Sequence, residues 1–490
     1  MPVPVLTVTR MREWEKASWE AGRKEREVIA EVGRLLARRI LDLTAPGADI
    51  LILAGKGHNG DDARLAEPHL RDRKVTVQRV TDPAPGLAGF EQWCRERPGR
   101  AAPARCLIAG ANLPVLVIDG LFGIGLNRPL DDAWIRLLRA INESRLPVLS
   151  VDVPSGLNGE TGQAEGEALR ADLTITLGAP KAGLIRPSAW EYVNRLEVLP
   201  EIGLIPCPFD SELCWTLPED FAGFPPRRRA ATHKGTYGHV VIFAGSPGYH
   251  GAAVLAARAA ARARPGLVTV VTLQVTYVPI ASQLQSAMVH VWEPGFQLPN
   301  AATALVFGPG LAAPDIPEGF RDQLRDFWVD QPMPMVADAS GLDWLPAGTF
   351  KRDAIRVITP HPGEAARLLG SAVADIQSDR PAAVRQLSRR FGGCLVVLKG
   401  HQTLIGSAGG AQYLNSSGNP GLAQGGSGDL LAGLLGGLLA QPALAGEPVR
   451  AVRHGVWWHG AAADRLAGSL PHWTLEDLPG ALRSLDGEAN

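Results

Sequence analysis

The chain has 490 residues, too many for one ordinary hydrophobic core, so two or three domains are expected. A hydrophobic share of 46% and a charged share of 20% are those of a globular protein. A net charge of -1 gives no electrostatic reason for a nucleic-acid or anionic-membrane partner, and the Arg227-Arg228-Arg229 run reads as a solvated linker.

The N-terminal MPVPVLTVTRMREWEK lacks the apolar core of a signal peptide. Apolar residues at Val28, Ile29, Val32, Leu35, Leu36 and Ile40 keep helical spacing, which predicts an amphipathic opening helix. Short apolar runs follow: DILILAG (Asp49 to Gly55), KVTVQRV (Lys74 to Val80), VLVIDG (Val115 to Gly120), VLSVDV (Val148 to Val153) and DLTITLGA (Asp172 to Ala179). The chain between successive runs is long enough for crossovers, so these are expected to be strands of a parallel α/β domain spanning 1–205. Residues 206–228 are proline-rich and aperiodic, and read as a linker. A second α/β series fills 229–490, with strands expected in HVVIFAGS (from His239), LVTVVTL (from Leu267), ALVFGPG (from Ala304), MPMVADAS (from Met333), IRVITP (from Ile355) and CLVVLKG (from Cys394). The apolar LLAGLLGGLLA, from Leu430 to Ala440, is about half the length that spans a bilayer. Cys94, Cys106, Cys207, Cys214 and Cys394 form no zinc-type spacing and are expected as reduced thiols of a cytoplasmic protein.

Ligands of open parallel sheets bind beyond the carboxyl ends of the strands. The sharpest such segment is Gly425-Gly426-Ser427-Gly428-Asp429 ahead of an apolar helix. Its backbone N–H groups and the helix N-terminus suit a phosphate, and Asp429 would stand where a hydroxyl nucleophile loses its proton. The plainer reading is a glycine-rich turn with an acidic first-turn residue. His454 and His459, flanking GVWW, read as core-helix residues, and Trp457 and Trp458 as packing.

Taken in order, HKGTYGH, GYHGAA, GPGL, TPHPGE, KGHQT, NPG and GGSGD resemble the signature set of the ADP- or ATP-dependent NAD(P)H-hydrate dehydratases, over roughly residues 230 to 470. The resemblance implies a ribokinase-like α/β fold. It also implies an enzyme that phosphorylates the hydroxyl of a hydrated nicotinamide ring with ADP or ATP and then expels phosphate. Lys399, Gly400, His401, Gln402 and Thr403, with Gly425, Gly426, Ser427 and Gly428, would hold the nucleotide. Ala252, Gly310, His361 and Asp429 would face the hydrate, with Asp429 the catalytic carboxylate and Mg2+ the expected companion of the phosphates. Asp338-Ala339-Ser340 and Ala312 depart from the DAD and GPGLG of many relatives.

Gly55-Lys56-Gly57-His58-Asn59-Gly60 satisfies GxGxxG, and Asp82 stands near where a Rossmann ribose acid would. Asp61 and Asp62 after it suit a pyrophosphate poorly. GKGHNGDDARLAEPHL, DGLFGIGLNRP, VDVPSGLNGETG and TLGAPKAGL together resemble the NAD(P)H-hydrate epimerases, a Rossmann-like three-layer α/β/α family, over roughly residues 10 to 200. By that resemblance the domain interconverts R and S hydrates of NADH and NADPH. Asn59, Asp119 and Ser155 would bind K+, and Asp152 is the acid/base carboxylate. His58, Asn59 and the segment Gly123, Ile124, Gly125, Leu126, Asn127, Arg128 and Pro129 would contact the substrate. Asp61 and Pro68 stand where the family has glycine and arginine, which puts epimerase strength in question. A tandem of both families implies a bifunctional repair enzyme, expected as a homo-oligomer. The alternatives are a ribokinase-like small-molecule kinase and an N-terminal half that only binds dinucleotide.

Overall fold

The computed structural model describes residues 2–97, 112–348, 354–470 and 472–482, so Cys106 lies outside the described residues. The chain divides into two compact units, one of residues Val3–Ser211 and one beginning at Glu212.

In the N-terminal unit the expected opening helix is two helices, α1 (Val8–Glu20) and α2 (Glu25–Leu43), separated at Gly22, whose φ of 88° ends the first. The strands are β1 (Thr44–Ala54), β2 (Lys74–Arg79), β3 (Leu113–Gly120), β4 (Val148–Val151), β5 (Leu173–Leu177) and β6 (Arg195–Leu199), in the order β2-β1-β3-β4-β5-β6, all parallel. Both faces are covered, which is why these strands read as near-continuous apolar runs. Ile50, Ile52, Leu116 and Ile118 pack with Val32, Leu36 and Ile40 of α2. Leu51, Leu53, Val115 and Val117 pack with Phe90 of α4 (Pro83–Arg95) and Leu137, Leu138 and Ile141 of α5 (Asp132–Ser144). Asp82 accepts from Ala84 N at 3.0 Å as the N-cap of α4, a structural role in place of a ribose-binding one.

The second unit carries β7 (Leu213–Trp215), β8 (His239–Phe243), β9 (Leu267–Thr272), β10 (Met288–Val291), β11 (Ala304–Phe307), β12 (Met335–Ala337), β13 (Arg356–Ile358), β14 (Leu395–Leu398), β15 (Leu404–Gly406) and β16 (Gln412–Leu414). Their order is β7-β16-β15-β14-β13-β12-β11-β8-β9-β10. From β10 to β14 neighbours are parallel, whereas β15 is antiparallel to both β14 and β16. The proline-rich segment read as linker therefore supplies a strand, β7, paired parallel with β16. One sheet face carries α6 (His250–Arg262), α10 (Ser427–Leu439) and α11 (Pro448–Ser469). The other carries α7 (Glu318–Asp330), through Phe320 against Phe243 and Trp328 against Phe307.

The apolar LLAGLLGGLLA lies in α10, buried among α6 and α11. Among the described residues no helix is long and apolar enough to cross a membrane. The α6–α10 approach is so close that a Cβ on Gly433 would stand 2.0 Å from the carbonyl oxygen of Ala256. Backbone cannot yield there as a flexible side chain would. Gly433→Val is therefore expected to destabilise the C-terminal unit by about 1–3 kcal/mol or more, read as a lowered unfolding midpoint in calorimetry. An unchanged midpoint would contradict this packing.

Candidate functional sites

Because β1, β3, β4 and β5 are parallel, the residues following them gather at one sheet edge, and there a cleft of about 850 Å³ opens. Gly55 ends β1 where a Cβ would meet the Leu121 carbonyl at 2.0 Å, so the first loop lies directly on the β3 loop. His58 and Asn59 open α3 (His58–Arg64). They line the cleft together with Gly123, Ile124, Gly125, Leu126, Asn127, Arg128, Pro129 and Asp152. Arg12, Lys56 and Arg128 give this cleft basic side chains.

Asp152 sits at φ 64°, a backbone region that non-glycine residues rarely occupy, which marks a position held by its surroundings. Its carboxylate accepts from the Lys181 ammonium, from Thr176 Oγ1 at 3.2 Å and from Leu177 N at 3.2 Å. Lys181 is 1% exposed and also donates to Leu177 O at 2.8 Å. Asp62 faces the same cleft, and burial, then the Asp152 and Glu15 carboxylates, push its pKa well above the ordinary value. The unusual Asp61 is turned to Arg64, at 2.7 Å, one helical turn on.

Behind the cleft lies a group of oxygens. Asp119 is fully buried and accepts from Ser155 Oγ at 2.6 Å, Ser155 N at 2.9 Å, Ser150 Oγ at 2.8 Å and Leu121 N at 3.1 Å. Burial outweighs these four bonds and raises its pKa. Ser155 Oγ in turn accepts from Phe122 N at 2.8 Å, and Asn59 Nδ2 donates to Phe122 O at 2.6 Å. Asn59 Oδ1 is buried without a hydrogen-bond partner among the described residues. An orphaned amide oxygen tied through Phe122 and Ser155 to a buried carboxylate is a donor set suited to a hard cation.

In the C-terminal unit β8, β11, β12, β13 and β14 likewise deliver their loops to one edge. Gly310, after β11, has φ 63°, and a Cβ there would meet Tyr249 O at 2.5 Å and the Ala252 Cβ at 2.8 Å, so Gly310 and Ala252 form one small-residue surface. Asp338, after β12, is buried and accepts from Thr359 Oγ1 at 2.6 Å and from Lys399 Nζ at 2.7 Å. Lys399 Nζ also lies 3.7 Å from Glu364 Oε2. Burial opposes the ammonium, but Asp338, Glu364 and Asp429 together hold its pKa above the ordinary value.

His361 caps α8 (Pro362–Leu369): its Nδ1 accepts from Gly363 N at 3.0 Å, while Glu364 accepts from His361 N at 2.7 Å. The cap uses Nδ1, while Nε2 of the half-exposed ring lies 3.7 Å from Glu364 Oε1. Lys399-Gly400-His401-Gln402-Thr403 is the turn between the antiparallel strands β14 and β15. It is closed by Thr403 Oγ1 donating to Gly400 O at 3.0 Å. Gln402 adopts φ 51°, and both its amide atoms are buried without a partner among the described residues.

Gly425 and Gly426 lead into Ser427, Gly428 and Asp429 at the N-terminus of α10. A Cβ on Gly428 would stand 3.2 Å from Lys399 Nζ and 3.5 Å from Asp338 Oδ2, which brings the glycine loop onto the ammonium. Burial first, then Asp338 and Glu364, raise the Asp429 pKa to about 7 against the opposing pull of Lys399.

Residues 240–478 match the family described as NAD(P)H-hydrate dehydratase, and residues 25–183 match the family described as YjeF-related protein N-terminus. The bifunctional NAD(P)H-hydrate repair enzyme of Coxiella burnetii is 36% identical over 481 residues, covering 94% of this chain and 94% of the relative. The chain belongs to the family of bifunctional NAD(P)H-hydrate repair enzymes. The Escherichia coli relative is 35% identical over 430 residues, covering 85% of this chain and 80% of its own. Among solved structures, the ADP/ATP-dependent NAD(P)H-hydrate dehydratase from Bacillus subtilis, co-crystallised with ATP and Mg2+, is similar at 32% identity and a TM-score of 0.48. That match covers 52% of this chain and 91% of that one.

Several residues that the structure brings to these regions carry no mark in the sequence. Lys181 lay in the quoted TLGAPKAGL motif, yet spacing alone gave no sign that it pairs with Asp152. His459, read only as core, is hydrogen-bonded to the backbone of Ser427 in the glycine loop, and burial holds its pKa down at about 4. One turn on, Asp464 accepts from Gly418 N and Asn419 Nδ2, both at 3.0 Å. Helix α11 thus holds both the NPG and GGSGD loops, a relation that no local pattern reveals.

An unfolded aspartate titrates near 4. The folded Asp429, at about 7, is therefore stabilising only while protonated, and that contribution is lost as pH rises from about 4 through about 7. Asp429→Asn is expected to raise the unfolding midpoint, with an advantage over the parent that widens from pH 5 to pH 8 and then levels. A constant difference across that range would contradict the assignment.

Proposed function

We propose that the C-terminal unit dehydrates the S hydrate of NADH or NADPH at the expense of ADP or ATP. The observation that carries this reading is the meeting of Asp429, at about 7, with the Gly425–Gly428 loop and the Lys399 ammonium. A carboxylate that titrates near neutrality is matched to taking a proton from a hydroxyl. The order of events follows from the leaving group, since hydroxide departs poorly and phosphate well. The hydroxyl oxygen attacks the terminal phosphorus as Asp429 takes its proton, and AMP or ADP leaves. Phosphate then departs with its bonding pair, the neighbouring carbon loses a proton, and the ring double bond returns.

The amides at Gly425, Gly426, Ser427 and Gly428 cradle the transferred phosphate, and Lys399 offsets its charge. Gly400, His401, Gln402 and Thr403 take the rest of the nucleotide, and the orphaned Gln402 amide is suited to a base or ribose. Ala252 and Gly310 admit the flat ring against a surface without bulk, and His361 offers Nε2 to the hydrate. Three carboxylates, Asp338, Glu364 and Asp429, surround one ammonium, and this surplus of negative charge fits Mg2+ brought with the phosphates, with Asp338 and Glu364 as its protein oxygens. Mg2+ would supply charge neutralisation on the phosphates.

The N-terminal unit, in the same proposal, equilibrates the R and S hydrates. Inversion of the hydroxyl-bearing carbon follows when its C–O bond breaks, with the ring nitrogen's lone pair stabilising the cation, and water adds on the other face, a route that needs a proton donor and a proton acceptor together. Asp62, whose pKa burial and its neighbours' charge push well above the ordinary value, is the donor to the departing hydroxyl. Asp152, paired with Lys181, takes the proton of the water that returns, and exchange with solvent restores the proton on Asp62 before the next turnover. Gly123 to Pro129, with Arg12 and Lys56, receive the phosphates, while His58 stands at the rim. Asn59 Oδ1, Asp119 and Ser155 would hold K+, which would supply positive charge beneath this loop.

Two substitutions separate the activities when recovery of reduced nicotinamide is followed by absorbance. Asp429→Asn is expected to lower nucleotide-dependent recovery from the S hydrate by roughly 10²-fold or more. Retention of activity within about tenfold would remove Asp429 as base. Asp152→Asn is expected to leave S consumption intact and to stop catalysed use of R. Unchanged R consumption would reduce the N-terminal unit to a scaffold.

A further inference from the structure

The Arg227-Arg228-Arg229 run does not end in open solvent. It borders a cleft of about 1330 Å³ in the C-terminal unit, whose lining contains neither the glycine loop nor Lys399. Arg262 and Arg264, from the end of α6 and the turn after it, line the same cleft, and no aspartate or glutamate is among its lining residues.

The segment that carries the run is built by its own hydrogen bonds. Thr232 Oγ1 donates to Arg229 O at 2.8 Å and lies 2.9 Å from Tyr237 Oη. His233 Nδ1 accepts from Gly235 N at 3.1 Å, so the HKGTYGH motif is a capped turn that presents Tyr237 to the cleft. The Arg228 guanidinium lies 3.7 Å from the Tyr237 ring centroid. Burial, then the neighbouring Arg264 charge, lower the Arg228 pKa, as expected where like charges converge.

Trp458 and Phe224 supply further aromatic walls. His454 also lines the cleft, only 2% exposed, and its Nδ1 has no hydrogen-bond partner among the described residues. Burial holds this ring neutral, with a pKa of about 4, so it offers a directional polar contact and no charge.

We propose that this cleft is a second nucleotide-binding site, in which Arg228, Arg262 and Arg264 take the phosphates of an aromatic polyanion while Tyr237, Trp458 and His454 receive its base. Five arginines without an acid specify phosphate, and guanidinium forks suit its oxygens better than ammonium groups do. Aromatic walls with a buried imidazole specify a planar heterocycle on the same molecule. Such a site, apart from Asp429 and Lys399, lets nucleotide act on the enzyme without being consumed.

The test is calorimetric titration of the full chain with ADP, comparing the parent protein with Arg228→Ala/Arg264→Ala. Both arginines are exposed, and the double variant is expected to keep the dehydratase rate at saturating nucleotide, which verifies that it is folded. The number of ADP sites per chain is expected to fall by one. The lost site is also expected to bind inorganic tripolyphosphate at least tenfold more weakly than ADP. An unchanged number of sites would overturn the proposal, and equal affinity for tripolyphosphate would overturn its aromatic half. Should the double variant fail to fold, Arg262→Ala alone must weaken the same site at least threefold, and no weakening would overturn the proposal.

Discussion

Each unit buries one lysine ammonium against an aspartate at the carboxyl edge of a parallel sheet, and the sites are organised around these two pairs. Lys181 with Asp152 and Lys399 with Asp338 are held where charge is expensive, so removing either lysine leaves a buried carboxylate without its counter-charge. Parallel pairing makes the arrangement reachable: crossovers return every strand in the same direction and place its following loop beside its neighbours' loops. Residues far apart in the chain then meet: the Asp152 carboxylate helps raise the pKa of Asp62, and the Asp338 carboxylate that of Asp429.

Other polar groups are left unsatisfied in the same regions. Asn59 Oδ1 and the Gln402 amide are buried without partners among the described residues, and Asp119 is a carboxylate met only by neutral donors. Native interiors leave few such groups, because each costs desolvation that nothing repays. In the proposed function a cation at Asn59 and Asp119 and a nucleotide at Gln402 would complete them. At Asp429 the burial that raises the carboxyl's pKa to about 7 also penalises its charge, so in the proposed role stability and function would pull in opposite directions.

Much of this was legible in the sequence. The central strands appear as apolar runs because helices cover both sheet faces, and the first glycine loop begins where close approach forbids a side chain, as Gly55 does against the Leu121 carbonyl. What escaped were short or peripheral strands: β6 and β10 on the sheet edges, β15 and β16, and β7 hidden in a proline-rich segment. Three to five residues carry too little periodicity to be told from loop. The N-terminal helix was read as one because its apolar spacing begins at Val28, whereas α1 earlier buries Met11 and Trp14. His459 and Lys181 escaped for a different reason. Their surroundings depend on what lies across the fold, and a buried histidine in an apolar helix looks the same in sequence whether it meets a side chain or a glycine-rich loop.

The account as a whole turns on whether one chain consumes both hydrates. The most direct measurement starts from the purified R hydrate alone, with the unaltered chain, nucleotide, Mg2+ and K+, and follows the return of the reduced-nicotinamide absorbance. Complete return, faster than uncatalysed epimerisation and absent without nucleotide, is the predicted result. Return limited to the uncatalysed rate, while the S hydrate is consumed rapidly, would contradict it and leave the N-terminal cleft without its proposed chemistry.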